Sequence, residues 1–118
     1  MGLGRHLLAD FYGVDADKLD DPPLLTATLA LAASRAGLTP IAVPVTHRFE
    51  GGGVTGYILL SESHIALHTY PEFGYVAVDV FSCGPADPHA ALAAFREALA
   101  PKKEDVTAAE RGREIPRR

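Results

Sequence analysis

Residues 60–84 read LSESHIALHTYPEFGYVAVDVFSCG and predict two adjacent β-strands. From Ser63 onward, even positions fall on one face of the first strand and odd positions on the other, because strand side chains alternate with a period of two. A break at 71–74 separates this strand from a second β-rich run at 75–81. The stretch contains the only cysteine and two of the five histidines, so we expect it to carry the active site.

The composition is that of an ordinary globular protein. The 118 residues predict one domain spanning 1–118, with 47% hydrophobic and 22% charged residues. A net charge of −4 argues against a nucleic-acid partner, which requires a basic surface. One cysteine cannot form an internal disulfide, and no apolar run approaches the ~20 residues that span a bilayer. The N-terminus lacks a signal-peptide pattern, so we expect a cytoplasmic protein without membrane contact.

Two segments have the sequence signals that begin and end helices. Pro22 and Pro23 precede an apolar run that continues to Gly37, and proline in the first turn with glycine past the end is typical of a helix. Asp87 followed by Pro88 predicts the N-cap and first position of a second helix. The apolar stripe of this second helix consists of Leu92, Phe95 and Leu99.

Several other segments predict strands. Residues 5–12 and 41–49 are β-rich, and Pro44 within the second of these favours an edge strand or a bulge. The glycine cluster at 50–53 is followed by another β-rich run and not by a helix, so it predicts a hairpin loop instead of a phosphate-binding loop. The charged tail from Lys102 predicts a solvated edge strand followed by disorder.

The order of these elements predicts the fold class. Residues 14–21 are polar and predict a turn, so the order is strand, helix, several strands, helix, strand. This order favours an α+β fold, in which a two-layer α/β sandwich consists of a mainly antiparallel sheet with two helices on one face.

Two histidines and the cysteine are candidate reactive side chains. His64 and His68, four positions apart on a strand, would be about 13 Å apart at ~3.3 Å per residue, too far to share one metal ion. We therefore expect no metal site. Cys83 with His68 would fit a thiol nucleophile and its base, while a buried cysteine is also a common small core residue. These residues alone leave the function open.

Four segments together resemble one enzyme family. They are GRHLLADFYGVD at 4–15, FEGGGVTG at 49–56, the SESH to SCG block at 61–84, and DPHAAL at 87–92. In this order and spacing they resemble the prokaryotic S-adenosylmethionine decarboxylases of the small, single-domain type. The similar segments cover nearly the whole chain.

The resemblance implies a proenzyme that cuts itself between Glu62 and Ser63. The Ser63 hydroxyl would attack the Glu62 carbonyl, and loss of the Ser63 α-proton would lead to a pyruvoyl group in place of the serine. The products would be residues 1–62, the β chain, and residues 63–118, the α chain. The pyruvoyl group would be the cofactor, an electron sink for decarboxylation, and no metal would be needed.

The resemblance also implies roles for five further residues. His68 would take the α-proton during self-cleavage, supported by the hydroxyl of Thr55 where the family often has a serine. Cys83 would return a proton to the substrate α-carbon. Phe49 would stack on the adenine of S-adenosylmethionine, and Glu72 would hold its ribose hydroxyls. The alternative interpretation of Phe49 is a core aromatic.

The family implies a homodimer with its pocket near the subunit contact. Its product would donate the aminopropyl group in spermidine synthesis, a branch of polyamine synthesis. Three alternatives stay open. The first is a pyruvoyl-dependent arginine or ornithine decarboxylase on the same fold, and the second is an unprocessed regulatory paralogue. The third is a Cys-His hydrolase, which requires its thiol and imidazole in direct contact.

Overall fold

In a computed structural model of the chain, which describes residues 3–115, six β-strands form a single sheet. The strands are β1 (Gly4–Tyr12), β2 (Val45–Arg48), β3 (Val54–Leu59), β4 (His64–Tyr70), β5 (Tyr75–Cys83) and β6 (Lys103–Arg111). The connecting helices are α1 (Ala16–Leu19), α2 (Pro22–Ala36), a 3₁₀ turn (Pro71–Phe73) and α3 (Pro88–Leu99). The strand order is β2-β3-β4-β5-β1-β6, and neighbouring strands are antiparallel. The predicted α+β fold is confirmed.

Both predicted helices are present, with the caps that the sequence indicates. α2 begins after Asp21, whose side chain accepts a hydrogen bond from Leu24 N at 3.1 Å, and it is followed by Gly37 in the left-handed conformation. α3 begins after Asp87, whose side chain accepts from His89 N at 3.0 Å. These caps satisfy backbone N–H groups that have no partner inside a helix. No helix within residues 3–115 is long and apolar enough to cross a membrane.

Two details of the predicted elements are wrong. The polar segment 14–21, predicted as a turn, contains the one-turn helix α1, because the Asp15 carboxylate accepts a backbone hydrogen bond and caps it. The strand predicted at 41–49 is shorter, since its paired part begins only after Pro44, which has no N–H to donate. β2 is an edge strand, as the proline indicates.

The C-terminal edge strand is also confirmed. β6 ends the strand order beside β1, which is its one partner strand among residues 3–115, and most of its side chains are exposed. Residues 116–118, at the end of the tail for which disorder is predicted, lie outside the described residues.

The sheet has one covered face and one open face. α2 and α3 pack over the covered face, where Ile65 and Leu67 of β4 are fully buried. The residues that alternate with them point to the other side, which confirms the predicted alternation. We call this other side the open face, and its residues on the four inner strands are His6, Leu8, Asp10, Tyr12, Thr55, Tyr57, Leu59, His64, Ala66, His68, Tyr70, Tyr75, Ala77, Asp79, Phe81 and Cys83.

α2 approaches the sheet closely at Gly56 of β3. A Cβ at this position would lie 3.3 Å from Leu29 Cδ1 and 3.0 Å from Thr46 Cγ2, which is tighter than ordinary van der Waals contact. Glycine therefore lets Leu29 sit directly on the strand, where its side chain is completely buried. Burying a leucine contributes about 1.5–3 kcal/mol, so this contact helps to hold α2 on the covered face.

We expect Leu29→Ala to lower the free energy of unfolding by about 2–5 kcal/mol, because it leaves a cavity between α2 and β3. Leu31→Ala on the same helix is the matched control. Leu31 is 44% exposed, so its truncation should change the free energy of unfolding by about 0.5 kcal/mol or less. Urea unfolding of the two variants measures the difference, and equal losses would contradict the described packing of α2.

Candidate active site

The open face is organised in rows, because directly opposed residues of neighbouring antiparallel strands share a face. One row consists of Leu59, His64, Phe81 and His6. Two rows further along the strands, another row consists of Thr55, His68, Ala77 and Asp10. The predicted site residues divide between these two ends of the sheet.

Glu62 and Ser63 lie in the tight turn between β3 and β4. Leu60 N donates a hydrogen bond to Ser63 O at 3.0 Å, and Ser63 N donates to Leu60 O at 3.3 Å. The Glu62 side chain is exposed, and a hydrogen bond with Ser61 lowers the pKa of its carboxyl group. The predicted cleavage site therefore lies in a hydrogen-bonded turn, and the Glu62 side chain points into solvent.

Ser63 Oγ is shielded from solvent and has no hydrogen-bond partner among residues 3–115. Most buried hydroxyl groups have a partner, since leaving one unpaired costs about 1–3 kcal/mol. This hydroxyl is next in the chain to the carbonyl group of Glu62 and makes no competing interaction. The residue present here thus fits a serine that attacks its own backbone and becomes a pyruvoyl group.

Cys83 is at the same end of the sheet as Ser63. It is the last residue of β5, is partly buried, and pairs with Gly4 of β1. Its side chain belongs to the open face and is only partly buried, so the interpretation of Cys83 as a buried core residue is wrong.

Four other predicted residues surround one cleft at the opposite end of the open face. Thr55 and His68 are directly opposed, and Thr55 Oγ1 lies 3.1 Å from His68 Nδ1. The cleft beside them has a volume of about 300 Å³, and Phe49 and Glu72 are among its lining residues. Phe49 is 47% exposed, so the core-aromatic interpretation is wrong.

The two ends of the open face are far apart within one chain. His68 is five residues from Ser63 along an extended segment, which corresponds to about 16 Å at ~3.3 Å per residue. Ala77, directly opposite His68, is six residues from Cys83 on β5, or about 20 Å by the same rise. A Cys-His hydrolase built from Cys83 and His68 therefore does not fit a single chain, because its thiol and imidazole must be in contact.

A stacked row of tyrosines borders the His68 end of the open face. The rings of Tyr12 and Tyr70 stack on opposite sides of Tyr75, with centroid distances of 5.4 and 5.5 Å. Tyr75 donates its hydroxyl to Asp10 Oδ1 at 2.5 Å, and this bond together with burial raises the pKa of Tyr75 to about 12. The ring therefore stays un-ionised at neutral pH, and such aromatic faces attract cations.

Asp20 ties the loop that carries Phe49 to the segment after α1. Its Oδ1 accepts hydrogen bonds from Arg48 Nε and Gly53 N, each at 3.0 Å, and its Oδ2 accepts from Arg48 Nη2 at 2.8 Å. The bond from Arg48 is the main cause of a lowered pKa of Asp20. Phe49 N donates to Gly53 O at 2.8 Å, so the loop is closed at the point where Asp20 holds it.

The structure also brings together three residues that the sequence analysis did not connect. Asp79 Oδ1 lies 3.1 Å from His64 Nε2 and 3.4 Å from His6 Nε2. Periodicity assigns each residue to a face of its strand, but only the position of β1 beside β5 brings His6 to Asp79. His6 lies in the GRH segment at 4–6, which belongs to the family resemblance, and this was the one sign in the sequence that His6 could be part of the site.

Comparison with known proteins gives the same family as the sequence motifs. The family model for S-adenosylmethionine decarboxylase matches residues 5–112. The S-adenosylmethionine decarboxylase proenzyme of Thermotoga maritima is 44% identical over 112 residues, which cover 94% of this chain and 85% of the relative. The proenzyme of Synechococcus sp. WH7803 is 54% identical over 82 residues, which span 70% of this chain and 63% of the relative.

A solved structure agrees with these sequence matches. The crystal structure of the adenosylmethionine decarboxylase from Aquifex aeolicus has a TM-score of 0.87 and 42% sequence identity, and the match covers 94% of this chain and 92% of that one. The chain belongs to the S-adenosylmethionine decarboxylase family.

We expect Asp20→Asn to lower the thermal unfolding midpoint at neutral pH, because it removes the charge that holds Arg48. A carboxyl group with a depressed folded-state pKa stabilises the fold above its unfolded-state pKa, and this stabilisation is lost as pH falls through the folded-state pKa. The difference between wild type and variant should therefore shrink in acid. Asp17→Asn, the same change on α1, is the control. If the difference in unfolding midpoint between wild type and Asp20→Asn does not depend on pH, the described role of the Asp20 carboxylate is contradicted.

Proposed function

We propose that the chain is a proenzyme that cuts itself between Glu62 and Ser63 and then decarboxylates S-adenosylmethionine. The observation that carries the proposal is the shielded, unpartnered Ser63 hydroxyl in the turn at the head of β4. The relatives named as proenzymes of this decarboxylase support it. Decarboxylated S-adenosylmethionine is an aminopropyl donor, which places the reaction in spermidine synthesis.

Self-cleavage requires four steps at one residue. Ser63 Oγ attacks the Glu62 carbonyl carbon and converts the amide to an ester, which frees the Ser63 amino group. Removal of the Ser63 α-proton then breaks the bond between Ser63 Cβ and Oγ, which releases the main-chain carboxylate of Glu62 and leaves dehydroalanine. Its tautomer is hydrolysed by water, which releases ammonia and leaves the pyruvoyl group. The chain becomes two, residues 1–62 and residues 63–118.

Decarboxylation uses few groups besides the one made from Ser63. The pyruvoyl group supplies an electron sink for the electrons that carbon dioxide leaves behind, and no metal is needed for this chemistry. Cys83 returns the proton to the substrate α-carbon, since a thiol is a competent general acid near neutral pH. Its place at the Ser63 end of the open face supports this role.

The cleft at the His68 end of the sheet has the groups that the substrate requires. The exposed ring of Phe49 can stack on adenine, and the Glu72 carboxylate can accept hydrogen bonds from both ribose hydroxyls. His68, with Thr55 at hydrogen-bond distance, is the base that removes the α-proton of Ser63 during self-cleavage. The threonine keeps the hydroxyl group that this arrangement uses.

Two copies of the chain are needed to unite these groups. Ser63 and Cys83 are about 16–20 Å from His68 and its cleft within one chain, by the strand rise given above. The open face also exposes apolar side chains, and exposed apolar patches mark interaction surfaces. These side chains include Leu8, Tyr57, Leu59 and Tyr70. We propose a homodimer through the open faces, in which each pocket takes Ser63 and Cys83 from one subunit and the cleft from the other.

We expect the intact mass of purified protein to show two chains, residues 1–62 and residues 63–118, the second lacking a normal amino terminus. Ser63→Ala should give a single folded chain, because it removes the attacking hydroxyl group. Ser61→Ala, in the same turn, is the control and should still be cut. Carbon dioxide release should follow addition of S-adenosylmethionine and not of arginine or ornithine. A wild-type chain that stays whole after prolonged incubation would refute the proposed function.

The two-subunit pocket predicts complementation. Ser63→Ala and His68→Ala should each be inactive, yet their co-expression should restore turnover, because one pocket of a mixed dimer would contain both intact residues. Co-expression of Ser63→Ala with Cys83→Ala is the control. Both of these residues come from the same end of the sheet, so no mixed pocket would be complete. Absence of restored carbon dioxide release in the first mixture, with mixed dimers confirmed by mass, would contradict the shared pocket.

A further inference from the structure

The His6, Asp79 and His64 side chains form a polar cluster in the open face. Asp79 Oδ1 is within hydrogen-bond distance of both imidazole rings, at 3.1 Å from His64 Nε2 and 3.4 Å from His6 Nε2. The side chains are partly buried, with exposures of 18% for His6, 42% for His64 and 28% for Asp79. They come from three adjacent strands whose backbone pairing fixes their spacing.

The direction of the hydrogen bonds follows from the groups involved. A carboxylate only accepts, so each Nε2 that bonds to it carries the proton. Arg111 Nη1 lies 3.2 Å from His6 Nδ1, and a guanidinium only donates, which independently assigns the Nε2–H tautomer to His6. The chain of donation therefore runs from Arg111 to His6 to Asp79, and Asp79 accepts from His64 on its other side.

This arrangement favours a hydrogen-bond network over a metal site. The three ligand atoms lie within 4.8 Å of one another, a spacing that a metal ion could use. However, a histidine that binds a metal through Nε2 carries its proton on Nδ1 and donates it to a neighbour. Arg111 occupies that position on His6 with a donor, and its positive charge opposes a second cation.

His64 is the residue that connects the network to the proposed chemistry. Its backbone nitrogen is bonded to the carbonyl carbon of residue 63, so it would carry the pyruvoyl group after self-cleavage. Its ring stacks on Phe81, its direct neighbour on β5, at 6.0 Å with an interplanar angle of 16°. The stack leaves the ring free to slide in its own plane, and the bond to Asp79 fixes it.

We propose that Asp79, held by His6, is a positioning residue that orients His64 and thereby the pyruvoyl group joined to it. The inference rests on the proposed function. The group would accept the electrons only if the bond that breaks is perpendicular to the plane of its conjugated carbonyl groups, because only then does that bond overlap their π orbitals. The amide bond to His64 would help to set that plane. Asp79 itself does not touch the substrate and exchanges no proton with it.

The first test is Asp79→Asn, which removes the charge and keeps the size of the side chain. With turnover counted per chain that carries the pyruvoyl group, we expect kcat to fall about tenfold to a hundredfold, since a misplacement of ~1 Å can cost ~10²-fold. KM should stay within about twofold, because Asp79 is not among the residues that line the substrate cleft. Asp17→Asn, at an exposed position of α1, is the control and should keep wild-type kcat. An unchanged kcat in Asp79→Asn would overturn the inference.

The second test is a double-mutant cycle. His64→Phe keeps a ring against Phe81 but lacks the N–H group, so it should lose as much kcat as Asp79→Asn. Adding Asp79→Asn to His64→Phe should then cost little more, because residues that act through one contact are not additive. Fully additive losses would overturn the inference.

A third measurement is independent of turnover. Nitrogen-15 NMR of labelled histidine in uncleaved Ser63→Ala protein should give the Nε2–H tautomer for His6 and His64, and Asp79→Asn should abolish this preference at His64. The Nδ1–H tautomer, or one Zn²⁺ ion bound per chain by these rings, would overturn the inference. An inactive and uncut wild type would instead refute the proposed function, while the NMR result would still report on the network.

Discussion

The register of β4 is the constraint on which the rest of the structure depends. Its odd positions are sealed under α2 and α3, while its even positions carry His64 and His68 on the open face. A slip of one residue would move both histidines into the core and Ile65 and Leu67 into solvent, so burial specifies the register strongly. The face that carries the candidate site is thus determined by the apolar residues on the other side of the same strand.

The covered face explains the stability of the domain, and the open face explains its chemistry. The helices occupy only one side, so the sheet can present a row of histidines, a thiol and exposed apolar side chains together on the other. A free monomer with such a surface would expose apolar area that a partner can bury. In the proposed homodimer, the distance between the Ser63 end and the His68 end would give the same surface a second reason for pairing, because neither end has the complete set of proposed catalytic groups.

Much of this organisation could be predicted from the sequence. Helix boundaries followed from Pro22 and Asp87, and strand faces followed from period-two alternation, because both are local properties. The cluster around Asp79 could not be found in this way, since it depends on β1 entering the sheet beside β5 from more than sixty residues away. The hydrogen bonds from Asp20 to Arg48 and Gly53 were not predicted either. Asp20 directly follows α1, and without that helix the sequence does not indicate where in the fold Asp20 lies.

The strand order has a consequence for the fate of a cut chain. Residues 1–62 contain β1, β2 and β3, and residues 63–118 contain β4, β5 and β6. Because β1 lies between β5 and β6, strands of the two fragments would alternate across the sheet and meet at three seams: β3 with β4, β5 with β1, and β1 with β6. Neither fragment could leave without breaking backbone ladders on both sides of β1, so a severed molecule would remain one interwoven body without any covalent link between its halves.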